Sequence, residues 1–187
     1  MPDRDPDTAT RQSRRHPVAA EGSLLGQQDL YLFNEGSHSR LYQKLGAHPR
    51  TVDGVAGTSF AVWAPGAEYV SVIGDFNGHD KGRHPLRPRE QSGIWEGFIA
   101  GVGHGAAYKY HVASRYQGYR VDKTDPFAFF MEIPPATCSV VWDLDYDWND
   151  AAWMAQRHQH NALTAPLSIY ELHLGSWLRI PEEGNRS

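Results

Sequence analysis

The sequence predicts an all-β chain whose central part is an antiparallel β-sandwich, and three observations lead there. Of its 187 residues, 18 are Gly and 12 are Pro, enough turn formers to punctuate many short segments. Aromatic residues make up 12 per cent, with six Trp and nine Tyr, and such side chains suit pleated, half-buried surfaces. Between residues 50 and 143, short apolar runs of two-residue period are separated by glycine-bearing turns, the pattern of strands and not of helices.

Residues 1–22 ("MPDRDPDTATRQSRRHPVAAEG") are polar, mixed in charge and hold three Pro. They bury too little apolar surface to offset ordering entropy, so a disordered tail is expected. Arg14-Arg15 is not read as an export signal, because Glu21 and Gln27 interrupt the apolar core such a signal needs. Residues 23–49 form a lead-in segment. An apolar patch, Leu30 to Phe33, turns through Asn34-Glu35-Gly36, and Ser37 or Ser39 is expected to cap a short helix carrying Leu41, Tyr42 and Leu45, ended by Gly46.

In the sandwich, residues 50–143, "TSFAVWAPGA" sets Phe60, Val62 and Ala64 on one face, and "YVSVIGDFNG" does the same with Val70, Val72, Gly74 and Phe76. "GIWEGFIAG" follows, then "AAYKYHVAS" with Tyr108, Tyr110 and Val112 inward and Lys109 and His111 outward, and last "CSVVWDL". Residues 144–166 read as a connector in which Asn149 or Asp150 caps a helical turn through Arg157. Residues 167–187 contain "SIYELHLGSW", whose apolar run resembles a parallel strand buried on both faces.

A net charge of −4 and a pI near 6.2 give little attraction for nucleic acid or anionic membrane, so a neutral partner fits better. No stretch approaches the roughly 18 apolar residues of a membrane span, and a cytoplasmic location is expected. The lone Cys138 suits a reducing compartment.

Candidate chemistry is sparse. His158 and His160 lack the further ligands of a metal site, and Asp143, Asp145 and Asp147 lack the Gly and Glu of a calcium loop. Asp75, Glu96, Asp122 and Asp125 are the carboxylates that glycoside chemistry could recruit, but they read as exposed strand ends. No catalytic residue, metal or cofactor is expected. Sugar binding is better supplied, since it needs flat aromatic faces and a few polar groups. Asn77, Lys109 and the loop-borne Tyr116 and Tyr119 provide these types, with Trp63, Trp95, Tyr108 and Tyr110 divided between core and surface.

Several motifs together carry a resemblance: "LYQKLGAH", "GTSFAVWAPGAEYVSVIGDFNG", "RHPL", "SGIWEGFI", "YKYHV", "KTDPFAF" and "APLSIYELHLGSW". In this order they resemble the amino-terminal part of bacterial 1,4-α-glucan (glycogen) branching enzymes, over residues 29 to 187. The resemblance implies an immunoglobulin-like glycogen-binding module at 50–143 and a following α-amylase-type (β/α)8 barrel, with residues 168–177 as its first strand. It implies a cofactor-free transfer of an α-1,4-glucan segment to a 6-hydroxyl through a covalent glycosyl intermediate. The family's nucleophilic Asp and acid/base Glu lie on later strands, so this chain reads as a truncated fragment without turnover, at most binding α-glucan and lacking the barrel on which it packs. Glu171 and His173 then orient or pack a strand. His79 stands where the family commonly has a sugar-stacking Trp after "FNG", and Lys109 matches the family's Lys. The expected carbohydrate-binding residues are therefore Asn77, His79, Lys109, Tyr116 and Tyr119. A free-standing α-glucan-binding module and a protein-interaction domain are the other readings, both disfavoured by the unpartnered apolar run at 168–177.

Overall fold

Alternation along the central strands places Phe60, Val62, Val70, Val72, Tyr108 and Tyr110 where they can share one core, and in the computed structural model they do. The structure describes residues 22–177 together with 181 and 184; the expected tail, 1–22, lies outside them but for Gly22. The chain divides into two compact units at Leu144.

In the first unit nine strands form: β1 (Gly46–Val52), β2 (Val55–Trp63), β3 (Ala67–Gly74), β4 (Arg87–Pro88), β5 (Ile94–Ala100), β6 (Ala107–Ser114), β7 (Arg120–Lys123), β8 (Phe130–Met131) and β9 (Ser139–Val140). One antiparallel sheet has the order β1-β2-β5-β4, and the other runs β3-β6-β9-β8 with β7 also paired to β6. Their inner faces meet through Phe60, Val62, Trp95 and Ile99 from the first sheet and Val70, Val72, Tyr108 and Tyr110 from the second. Phe60 and Tyr108 pack edge to face with ring centres 5.0 Å apart. Each such large apolar side chain contributes about 1.5–3 kcal/mol by leaving water. The chain thus adopts the immunoglobulin-like sandwich that its sequence predicts.

Two tyrosine hydroxyls inside an apolar core need acceptors. Asp125 provides both: its Oδ2 accepts from Tyr108 at 2.6 Å and Tyr110 at 3.1 Å, and its Oδ1 accepts the Phe127 N–H at 2.8 Å. Its own N–H donates to Ser139 Oγ. Burial pushes the Asp125 carboxyl above the usual range against the pull of these hydrogen bonds, and burial beside Asp125 raises both phenols. Asp125, read from sequence as an exposed strand end, is 4 % exposed and clamps the "KTDPFAF" segment to the core.

Four further features differ from the sequence reading. The lead-in helix is α1 (Gln27–Glu35), not a helix after Ser37. Asp29 accepts the Gly26 N–H at 2.8 Å, which ties down the first turn, and Gly36 at φ 83° ends the helix with Ser37 N–H bonded to Leu32 O. Leu30 and Phe33, three apart, face the outer side of the first sheet, where Leu25, Leu45, Ala61 and Ile94 complete a second cluster. After α1 only a single 3₁₀ turn, Leu41–Gln43, forms. Second, the sandwich begins at Gly46, because β1 is an edge strand whose position tolerates Pro49. Third, β7 carries no apolar alternation; it is held by the β6 ladder and by Asp122, whose Oδ1 lies 2.6 Å from His111 Nδ1. His111 does point away from the core, but the 79–85 loop covers that face, with Tyr69 and Ser71 hydroxyls both donating to Lys81 O at 2.7 Å.

The fourth difference lies in the second unit. There α2 (Ala151–His160) follows Asp150 and is longer than the single turn expected. Residues 167–173 form no strand, and Leu174–Trp177 make a short helix, α3. Ile169 and Tyr170 are 82 % and 70 % exposed. A strand satisfies its N–H and C=O groups on a neighbouring strand, and no strand among the described residues forms a ladder with this segment. No described helix is long and apolar enough to cross a membrane.

Candidate carbohydrate-binding surface

The β3–β6 ladder runs from Ala67 opposite Ser114 to Gly74 opposite Tyr108. Seven residue steps at about 3.3 Å each separate its ends by roughly 23 Å. This distance splits the five expected site residues into two groups.

At the Gly74 end, "GDFNG" folds into a 3₁₀ turn, Asp75–Asn77, closed by Gly78 at φ 63°. Asn77 is 6 % exposed, and its amide is committed to the turn. Its Oδ1 accepts the Gly74 N–H at 3.0 Å; its Nδ2 reaches Val72 O at 2.9 Å and His84 Nδ1 at 2.8 Å. Asn77 therefore shapes the turn from beneath and does not present its side chain to solvent. His79, at φ 56°, projects from the turn. Its ring is half exposed, with Nε2 3.0 Å from Oδ1 of the fully open Asp75. Lys109 stands opposite Ile73 on the outer side of the same sheet, and its Nζ donates to Thr137 Oγ1 at 2.8 Å. The ladder register joins these groups: the 75–79 turn follows Gly74, which stands opposite Tyr108, the neighbour of Lys109. An imidazole face, a carboxylate, an ammonium and a hydroxyl thus share one surface, a set able to cover a pyranose face and bond its hydroxyls.

At the other end, Tyr116 and Tyr119 ride the β6–β7 turn and are 71 % and 58 % exposed. They cannot share a monosaccharide subsite with His79. The sequence reading named His79 and Lys109 through the family resemblance and did not single out Thr137, whose segment carries no strand-like alternation.

A separate cleft of about 130 Å³ lies between residues 22–24 and the outer face of the first sheet, lined by Ser23, Lys44, Ser59, Arg89, Glu96 and Phe98 among others. Glu96 Oε2 accepts from Ser23 Oγ at 2.6 Å. Arg89 Nε is 3.0 Å from Glu96 Oε1, close enough for charge pairing without a well-aligned hydrogen bond. The four carboxylates considered for glycoside chemistry are thereby dispersed. Glu96 is on one sheet, Asp122 is bound to His111 and Lys81 on the other, Asp125 is in the core, and Asp75 is at one end. No cleft among the described residues holds two of them face to face. Nor do the described residues bring three metal-ligating side chains together.

Residues 44–128 match the family described as carbohydrate-binding module 48 (isoamylase N-terminal domain). The match falls on the sandwich, so in fold and sequence that unit is similar to the carbohydrate-binding modules of this family. Over a longer stretch the chain is similar to 1,4-alpha-glucan branching enzymes GlgB. It is 54% identical over 165 residues to that of Aquifex aeolicus, covering 88% of this chain and 26% of the relative. It is also 54% identical over 164 residues to that of Paramagnetospirillum magneticum, covering 87% and 22%. The chain spans about a quarter of the length of these relatives. An apo pullulanase of Klebsiella pneumoniae aligns at 26% identity and TM-score 0.44, over 58% of this chain and 11% of its own.

Proposed function

We propose that the sandwich binds α-1,4-glucan on the surface formed by Asp75, His79, Lys109 and Thr137, as the carbohydrate-binding part of a cytoplasmic glycogen-branching enzyme. The observation that carries this reading is the half-exposed His79 ring, held by Asp75 at the end of the β3–β6 ladder that also carries Lys109, in a sandwich matched by the family 48 module. The ring supplies an apolar face to sugar C–H groups, Lys109 Nζ and Thr137 Oγ1 donate to hydroxyls, and Asp75 accepts from them. Asn77 acts from below by fixing the turn. An imidazole buries less surface than an indole, so binding is weak, with Kd of roughly millimolar order, equivalent to about 4 kcal/mol.

In the whole enzyme the reaction is transfer of an α-1,4-glucan segment to a 6-hydroxyl, with no cofactor. The 187-residue chain performs none of it, since a glycosyl transfer of this kind needs two carboxyl groups flanking one bond. Titration of the chain with maltoheptaose, followed at the backbone amides of residues 75–79 and 109, tests the binding. Saturable shifts there support the site, and their absence at tens of millimolar maltoheptaose removes it. Incubation with amylose tests the second statement: appearance of α-1,6 branches overturns it.

A further inference from the structure

Trp63 ends β2 on the outer face of the first sheet, paired in register with the fully buried Ile94, yet it is itself 55 % exposed. Its position is nonetheless fixed. Phe33 of α1 meets it edge-on at 6.1 Å and 71°. Gly93 lies so close beneath that a Cβ there would sit 3.1 Å from Trp63 Nε1 and 2.8 Å from Pro65 Cβ. The Pro65–Gly66 turn that follows is clasped from the second sheet by Arg115, whose guanidinium donates to Pro65 O at 3.0 Å and Ala67 O at 3.1 Å, and whose N–H donates to Gly66 O at 3.0 Å. On that side the Tyr116 ring lies within 3.7 Å of the Cβ position of Gly66. Two exposed rings therefore flank one rigid turn. A ring already packed in place, as Trp63 is against Phe33, needs little ordering before a ligand arrives.

We propose that this end of the sandwich is a second α-glucan subsite, with Trp63 and Tyr116 as its stacking platforms. The inference rests on the reading that the module binds α-glucan. Among the described residues, neither Trp63 Nε1 nor Tyr116 Oη has a hydrogen-bond partner, so both polar tips are open to sugar hydroxyls. Leu30, Asn34, Glu90, Gln91 and Ser92 line a groove whose residues adjoin Phe33 and Gly93 in the chain. Aromatic faces beside hydrogen-bonding side chains match a pyranose, which has an apolar C–H face rimmed by hydroxyls; a protein partner would favour a continuous apolar patch. The roughly 23 Å between the ends of the β3–β6 ladder makes the two subsites independent for a short oligosaccharide. They cooperate through effective concentration on a branched particle.

The test is a titration of the isotope-labelled full chain with maltoheptaose, followed at the Trp63 indole N–H, the Tyr116 amide and the amides of His79 and Lys109. Saturable shifts in both groups are expected. Trp63→Ala should abolish the Tyr116 response, keep the His79 response, and lower retention on glycogen about fivefold. Tyr116→Ala, in an exposed turn that leaves the fold unchanged, should lower retention about threefold. If Trp63 and Tyr116 stay still while His79 moves, the second subsite is overturned and the first stands. If His79 stays still while Trp63 and Tyr116 move, the second subsite stands and the first is lost. If nothing moves, glucan binding and this inference both fall.

Discussion

Residues 58–63 and 168–174 are both apolar runs with a β-like composition, yet only the first is a strand. "TSFAVW" lies between β1 and β5, and both its backbone edges are paired. "SIYELHL" has comparable side chains, but it forms no strand among the described residues, and Ile169 stays 82 % exposed. The contrast shows that burial here comes from the neighbours a run finds and not from its own hydrophobicity. Substitutions at matched positions should separate the two runs sharply. Phe60→Ala should cost about 3–5 kcal/mol in urea unfolding of the chain, whereas Ile169→Ala should change it by less than about 0.5 kcal/mol. Equal losses at the two positions would contradict the contrast.

A smaller effect sharpens the account of what holds the first region together. Asp125→Ala leaves the Tyr108 and Tyr110 hydroxyls without their acceptor, and should cost about 2–4 kcal/mol. Asp125→Asn keeps one acceptor oxygen and should cost less. A loss as large for Asn as for Ala would mean that charge, and not the acceptor, matters.

Smaller again is the acid dependence of the lead-in segment. Burial acts to raise the Asp29 carboxyl, but hydrogen bonds from His38, the Gly26 N–H and Lys44 outweigh it and bring it to about 2 from 3.8. A carboxyl depressed on folding adds stability that is complete above its unfolded pKa and is lost as pH falls through the folded one. Asp29→Asn should therefore be less stable than the parent at neutral pH, and the gap should close between about pH 4 and pH 2. Asp125, raised by burial, contributes with the opposite sign: it favours the fold as it becomes protonated. Unfolding curves of the parent and of Asp29→Asn across that range check the first sign; a gap that widens on acidification would contradict it.

The two-residue alternation made β2, β3, β5 and β6 legible from sequence, because each has one face in the core and a turn of Gly, Pro or Asn at its end. What escaped were elements whose identity rests on partners. β7 is polar and held by a ladder and by His111; α1 depends on Asp29 closing its first turn and on the outer sheet face receiving Leu30 and Phe33. The candidate surface was half legible. His79 and Lys109 are proposed through their motif positions, while the Asn77 amide, also expected as a ligand, is committed to Gly74, Val72 and His84. Thr137 and the Trp63–Tyr116 end depend on which strands meet, information that spacing along the chain does not carry.

The most direct measurement of the central claim is the affinity for maltoheptaose of the parent, Lys109→Ala and His79→Trp, by calorimetry or amide shifts. Lys109→Ala should weaken binding about fivefold through loss of a charge-assisted hydrogen bond. His79→Trp should tighten it about three- to tenfold, since an added aromatic contact of this kind contributes about 0.5–1.5 kcal/mol. Unchanged affinity in both variants, or no binding by any of the three, would contradict the assignment of glucan recognition to this surface.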